Sequence, residues 1–214
     1  MTLLSIDRST DVQSVALAKD GETFGFSIEG ADARSADWPV KIRDFLAGHR
    51  LGFADIDRIV VGTGPGSFAG IRGALAFAQG LSIGIRPKKG DGADQPIVYG
   101  LPSAAALARD DGLCAVVGDA RRGLFWVVVY NGAETVSGFR LVQKDDLAGA
   151  IPESATVVTS DGMRIGDTLK GLFGDRYAGS LPPTALKLAE IAVRHPENLE
   201  CEPLPVYLSP AVRT

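Results

Sequence analysis

Leu3-Leu4-Ser5-Ile6-Asp7-Arg8-Ser9-Thr10-Asp11 opens this chain of 214 residues, and its reading decides the fold. A short apolar run of the strand type ends on Asp7, and a polar turn follows. Residues 12–18 supply a second strand. Asp20-Gly21, a two-residue hairpin signal, leads to a third over 23–28. The same grammar returns later: a strand over 113–117, Asp119, the turn Ala120-Arg121-Arg122-Gly123, a strand over 124–130, Asn131-Gly132 and a strand over 136–142. The two aspartates lie about half the chain apart, and such self-similarity predicts an internal duplication.

Between the two openings, Trp38, Ile42, Phe45 and Leu46 fall on one face of an amphipathic helix. Ser35 or Asp37 can cap it, and Pro39 suits its first turn. Ile59-Val60-Val61 is a strand, followed by Gly62-Thr63-Gly64-Pro65-Gly66 and a helix capped by Ser67 that runs to about Ile83. Along that helix Ala69, Gly73, Ala76 and Gly80 form a row of small residues, which lets another backbone approach closely. Further helices are expected over 103–108, 144–150 and 184–194, and a strand over 156–159. The residues from 203 onward carry three prolines, Pro203, Pro205 and Pro210, and read as extended. Strand triplets followed by helix-alternating strands, given twice, predict an α/β actin-like (ribonuclease H-like) fold: two duplicated lobes of mixed sheet with flanking helices, over 1–110 and 111–214.

Composition narrows the chemistry. With 22 Lys+Arg against 26 Asp+Glu, the chain lacks the basic excess of an autonomous nucleic-acid binder. Cys114 and Cys201 form no CxxC pair, and His49 and His195 sit in no HxxxH or HExxH frame, so no metal site is expected. The opening has no basic segment followed by a long apolar core, so no signal peptide is expected, and the uncharged run 73–85 is too short to span a bilayer. A cytoplasmic location follows as the default. Glycine, at 26 copies, is the one compositional excess, and it clusters over 62–84.

That cluster fits several motifs in part. Gly64-Pro65-Gly66-Ser67-Phe68-Ala69 satisfies a dinucleotide-binding GxGxxA, but no strand ending in an acid follows about 20 residues later. It lacks the GK[ST] ending of a phosphate-binding P-loop. Ser67 has Pro65 where a nucleophile elbow needs Gly. The plain reading is a tight strand-to-helix turn feeding a closely packed helix. An anion held by the N–H groups of Ser67, Phe68 and Ala69 is the alternative. Asp7, Ser9 and Thr10 stand where actin-fold ATPases handle phosphate and magnesium. The second lobe offers only Asp119 to Gly123 and Asp161-Gly162 as a counterpart loop. No Ser-His-Asp or Cys-His arrangement is visible.

Ile6 to Thr10, Val60 to Gly73 with its Gly-Pro-Gly-Ser-Phe-Ala-Gly-Ile-Arg string, Asp119 to Gly123 and Pro205-Val206-Tyr207-Leu208 together resemble the tRNA threonylcarbamoyladenosine biosynthesis protein TsaB (YeaZ) family. The likeness runs over essentially the whole sequence. It implies a pseudoenzyme without catalytic residues, metal or cofactor. Such a protein pairs with the catalytic subunit TsaD, with the ATPase TsaE joining them, and meets tRNA only through the complex. A partner interface on the first-lobe helices is implied, formed with TsaD or, in isolation, with a second copy. Its residues here are Arg34, Ser35, Trp38, Ile42, Phe45, Ala69, Arg72, Gly73, Ala76 and Gly80. Asp7, Ser9 and Thr10 then form a degenerate phosphate loop. Two departures stand out: Arg34-Ser35 replaces the usual His-Ser, and Arg8 replaces a Thr. The rival reading is an actin-fold ATP-dependent enzyme or a glycoprotease-like hydrolase.

Overall fold

Strand β1 (Thr2–Asp7) is buried along its whole length, and β2 (Gln13–Lys19) and β3 (Glu22–Ile28) follow it as an antiparallel meander. In this computed structural model, which describes residues 1–30, 37–85 and 95–208, the turn between β2 and β3 places Asp20 at φ +53 and Gly21 at φ +85. That is the left-handed pair a two-residue hairpin requires. The chain continues through α1 (Trp38–Gly48), β4 (Arg58–Gly62), α2 (Phe68–Gly84) and β5 (Ile97–Leu101). The sheet order is β3-β2-β1-β4-β5, with β4 parallel to β1 and β5 parallel to β4.

The second sheet repeats this plan. It is built from β6 (Leu113–Arg121), β7 (Leu124–Asn131), β8 (Glu134–Gln143) and β9 (Thr156–Thr159), then α3 (Gly162–Phe173) and β10 (Tyr177–Ser180). Its order, β10-β9-β6-β7-β8, is that of the first sheet read from the other end. Three antiparallel strands joined to two parallel ones, given twice, are the actin-like plan expected from the sequence.

The last helix, α4 (Ala185–Arg194), returns to the first sheet. Met1–Ala106 with Thr184–Pro205 makes one unit, and Leu107–Pro183 with the chain from Val206 makes the other. Position in the sequence assigns α4 to the second lobe of 111–214, whereas its packing assigns it to the first unit. The cause is its apolar stripe: Ala185, Leu188, Ala189, Ile191 and Ala192 are buried, and the Ala185 N–H donates to Ser14 Oγ on β2 at 2.7 Å. The other face of that sheet carries the main core. There Leu4, Ile6, Val15, Leu17, Ile59 and Val61 meet Ile42 and Leu46 of α1 and Ile71, Ala74, Leu75 and Ala78 of α2.

Two local expectations change, and one helix was not foreseen. Residues 144–150 form turns rather than a helix, because seven residues with Asp145, Asp146 and Gly149 cannot repay helix nucleation; the buried Leu147 anchors them. Ser103–Leu107 forms a short 3-10 helix. Helix α3 was masked in the sequence by Gly162, Gly166 and Gly171, although Ile165, Leu169 and Phe173 bury one face at i, i+4 and i+8. No helix among the described residues is long and apolar enough to cross a membrane.

Candidate functional site

The end of β1 and the turn from β4 into α2 interlock. Asp7 is fully buried, and its Oδ1 accepts both the Ser9 N–H at 3.0 Å and the Ser9 hydroxyl at 2.7 Å. The Ser9 carbonyl in turn accepts the Ser67 N–H at 2.7 Å, and Ser67 Oγ caps the helix by accepting the Gly70 N–H at 3.2 Å. The glycines of the cluster have a steric cause here. A Cβ at Gly62 would run into the Asp7 carboxylate, one at Gly66 into the Ser9 carbonyl, and one at Gly70 into the Arg8 carbonyl. The turn itself holds a cis Gly64–Pro65 bond, with Gly64 at φ +94. The first of the helix N–H groups considered for an anion is therefore taken by the chain's own Ser9.

Asp7, Ser9 and Thr10 are brought together as the sequence suggested, but their polar groups turn inward. The Thr10 hydroxyl donates to the Val12 carbonyl at 2.9 Å. Burial raises the Asp7 pKa above its ordinary value, opposed in smaller measure by the neighbouring Ser103 hydroxyl and by the Ser9 N–H and hydroxyl. Asp7 Oδ2 has no hydrogen bond, although the Ser103 hydroxyl lies near it. Ser103 Oγ also accepts the Gly64 N–H at 3.0 Å.

In the second unit the two candidate counterpart loops meet, which sequence spacing did not reveal. The Asp119 N–H donates to Asp161 Oδ2 at 2.9 Å. The Asp119 carboxylate accepts the Arg121 N–H at 2.8 Å and lies 3.6 Å from the Arg121 guanidinium and 3.8 Å from that of Arg164. Arg121 and Arg122 both take left-handed backbone, at φ +69 and +55, a conformation that costs a non-glycine residue about 1 kcal/mol or more. Among the described residues no group of three or more His, Cys, Asp or Glu side chains is placed to hold a metal ion.

The residues assigned to a partner interface divide sharply. Trp38 and Ile42 are core residues, 8% and 0% exposed, so an outward Trp38/Ile42/Phe45 face is corrected. The apolar period of α1 packs it onto the sheet, and Trp38 sits against Phe77 of α2 with ring centroids 4.5 Å apart. Phe45 is half-buried between Phe26 and His49. On α2 the buried face is Gly70, Ile71, Ala74, Leu75 and Ala78. That leaves Ala69, Arg72, Ala76 and Gly80 exposed and Gly73 half-buried. Two large apolar side chains flank the row in the open, Phe68 at 58% and Ile83 at 75% exposure. Arg34 and Ser35 lie outside the described residues.

Sequence reasoning missed the part Arg8 plays. Its guanidinium lies over the Trp38 ring, 4.4 Å from the centroid, and its Nε donates to Gln13 Oε1 at 2.6 Å. A Cβ on Gly73 would come within 3.3 Å of its Nη1, which puts the cation in the seam between α1 and the small-residue row. Partial burial lowers its pKa from the ordinary value.

With this geometry in view, similarities to known proteins are specific. The family model for TsaD, tRNA N6-adenosine threonylcarbamoyltransferase, matches residues 33–137. The tRNA threonylcarbamoyladenosine biosynthesis protein TsaB of Haemophilus influenzae is 35% identical over 98 residues, 46% of this chain and 38% of that protein. TsaB of Escherichia coli is 30% identical over 150 residues, 63% of this chain and 61% of the relative. The matches thus span between about a third and three fifths of these relatives' lengths. The solved structure of YeaZ from Pseudomonas aeruginosa superposes with a TM-score of 0.74 at 23% identity, covering 96% of this chain and all of the other. The chain is thus similar to TsaB proteins over about half to three fifths of its length and shares the YeaZ fold.

Proposed function

We propose that this chain is a non-catalytic scaffold and activator in tRNA threonylcarbamoyladenosine formation, pairing with a TsaD-like catalytic subunit in the cytoplasm. A TsaE-like ATPase joins the pair, and tRNA is met through the complex. The observation that carries the reading is the outward face of α2. Ala69, Ala76 and Gly80 are exposed beside Phe68 and Ile83, a smooth apolar strip that costs solvation while it faces water and suits the close approach of another helix. The inward-turned Asp7–Ser9 loop supports the same reading, because its polar groups serve the fold rather than a nucleotide.

Isolated chains pair through the same strip when no catalytic subunit is present. Co-purification with the TsaD-like subunit tests the interface: Ala76→Arg places a long cation on the strip and abolishes capture, whereas unchanged capture refutes docking there.

A further inference from the structure

Two arginines border the α2 strip, and both are held in place by aromatic rings. Arg8 stacks on Trp38 at 4.4 Å, and Arg72 lies over Phe68 at 4.7 Å. Neither enters an ion pair among the described residues; the carboxylates there that do pair serve other cations, as Asp44 serves Arg43 at 2.8 Å. Helix α2 carries no Asp or Glu at all. The apolar strip is therefore bordered by two cations on a chain of formal net charge −4. Arg8 is the more telling of the two. Stacking and the Nε bond to Gln13 fix its plane, so its Nη donors reach the level of Gly73 with little rotamer entropy left to lose.

From this pair we infer that the α2 face selects its partner by charge: it takes a helix that presents carboxylates opposite Arg8 and Arg72, in preference to a second copy of this chain. The inference rests on the pairing proposed above and specifies its chemistry. A carboxylate completes the half-buried Arg8 guanidinium and the exposed Arg72 guanidinium with charge-assisted hydrogen bonds. Symmetric self-pairing sets two copies of the same positively bordered helix against each other, and α2 has no Asp or Glu to offset them. The two associations consequently respond to salt in opposite directions: screening weakens pairing with the acidic helix and strengthens pairing of like-charged copies.

Calorimetric titration of this chain with the TsaD-like subunit of the same genome, at about 50 and about 300 mM salt, tests the inference. Sedimentation of the isolated chain is run under the same conditions. The expected result is a complex weakened several-fold by salt, about tenfold weaker at low salt in Arg8→Gln and in Arg72→Gln, with self-association that tightens as salt rises. Arg72 is exposed, so its variant keeps the test sound if Arg8→Gln disturbs packing. A wild-type complex whose Kd is the same at both salts and in both variants overturns charge selection and leaves the pairing intact. No wild-type complex at either salt overturns the pairing itself, and the inference with it.

Discussion

The Ser67 amide at the N-terminus of α2 donates to the Ser9 carbonyl at 2.7 Å. One hydrogen bond thus ties the Asp7–Thr10 turn to the Gly-rich turn before α2, the two first-lobe segments considered for phosphate. In this chain they bind each other, and the glycines between them record how closely they do so.

Gly66→Ala or Gly70→Ala therefore drives a methyl into a backbone carbonyl that has nowhere to retreat. Each substitution is expected to cost about 1–3 kcal/mol, as overpacking does, and to lower the urea midpoint with the slope unchanged. Full wild-type stability in both variants contradicts the interlock.

Nucleotide affinity follows from the same contact. Calorimetry with magnesium-ATP is expected to detect no binding tighter than about millimolar, near −4 kcal/mol, since Asp7 Oδ1, the Ser9 hydroxyl and carbonyl and the Ser67 N–H are already engaged within the fold. Micromolar affinity restores the ATP-dependent enzyme as the better reading.

Asp7 sets a pH dependence whose sign is fixed by its surroundings. Burial raises its folded-state pKa above the unfolded value of 3.8, so the folded protein holds this proton more tightly than the unfolded chain. The stability that this contributes is fully present below 3.8 and is lost as pH rises through the folded pKa. Asp7→Asn keeps an acceptor for Ser9 and cannot ionise. Its stability relative to wild type is therefore expected to improve from pH 4 toward pH 8 in chemical denaturation. A relative stability that falls over that range contradicts a carboxyl whose burial outweighs its hydrogen bonds.

Trp38 and Ala76 separate core from surface. Trp38→Ala removes a ring packed on Phe77 and under Arg8, with an expected loss of about 3–5 kcal/mol. Ala76→Arg, on the exposed side of α2, is expected to move stability by no more than about 0.5 kcal/mol while removing partner capture. Thermal melts of the two variants distinguish these outcomes.

Much of this was legible in the sequence, and what was not has identifiable causes. The repeated strand, aspartate and hairpin grammar gave the duplicated sheets because hairpin chemistry is local: Asp20-Gly21 needs no tertiary partner to be recognised. The small-residue row of α2 was readable as a pattern, but not which way it faced, since a row of small residues suits a core contact and a partner contact alike. Helical period alone could not say whether Trp38 and Ile42 point to a core or a partner, because both demand the same apolar stripe. The route of α4 back to β1 and β2 is a long-range choice that no local pattern records. Arg8 escaped notice for a related reason: its role is made by Trp38 and Gly73, distant in sequence and brought together only by the fold.

The central claim is that this chain activates a partner through α2 without performing chemistry itself. The most direct measurement is tRNA threonylcarbamoylation by the TsaD-like subunit and the TsaE-like ATPase, titrated with wild-type chain and with Ala76→Arg. The account predicts no modification by this chain alone, a rate that rises to saturation as wild type is added, and no stimulation by folded Ala76→Arg. Modification by the chain alone, or equal stimulation by both proteins, contradicts it.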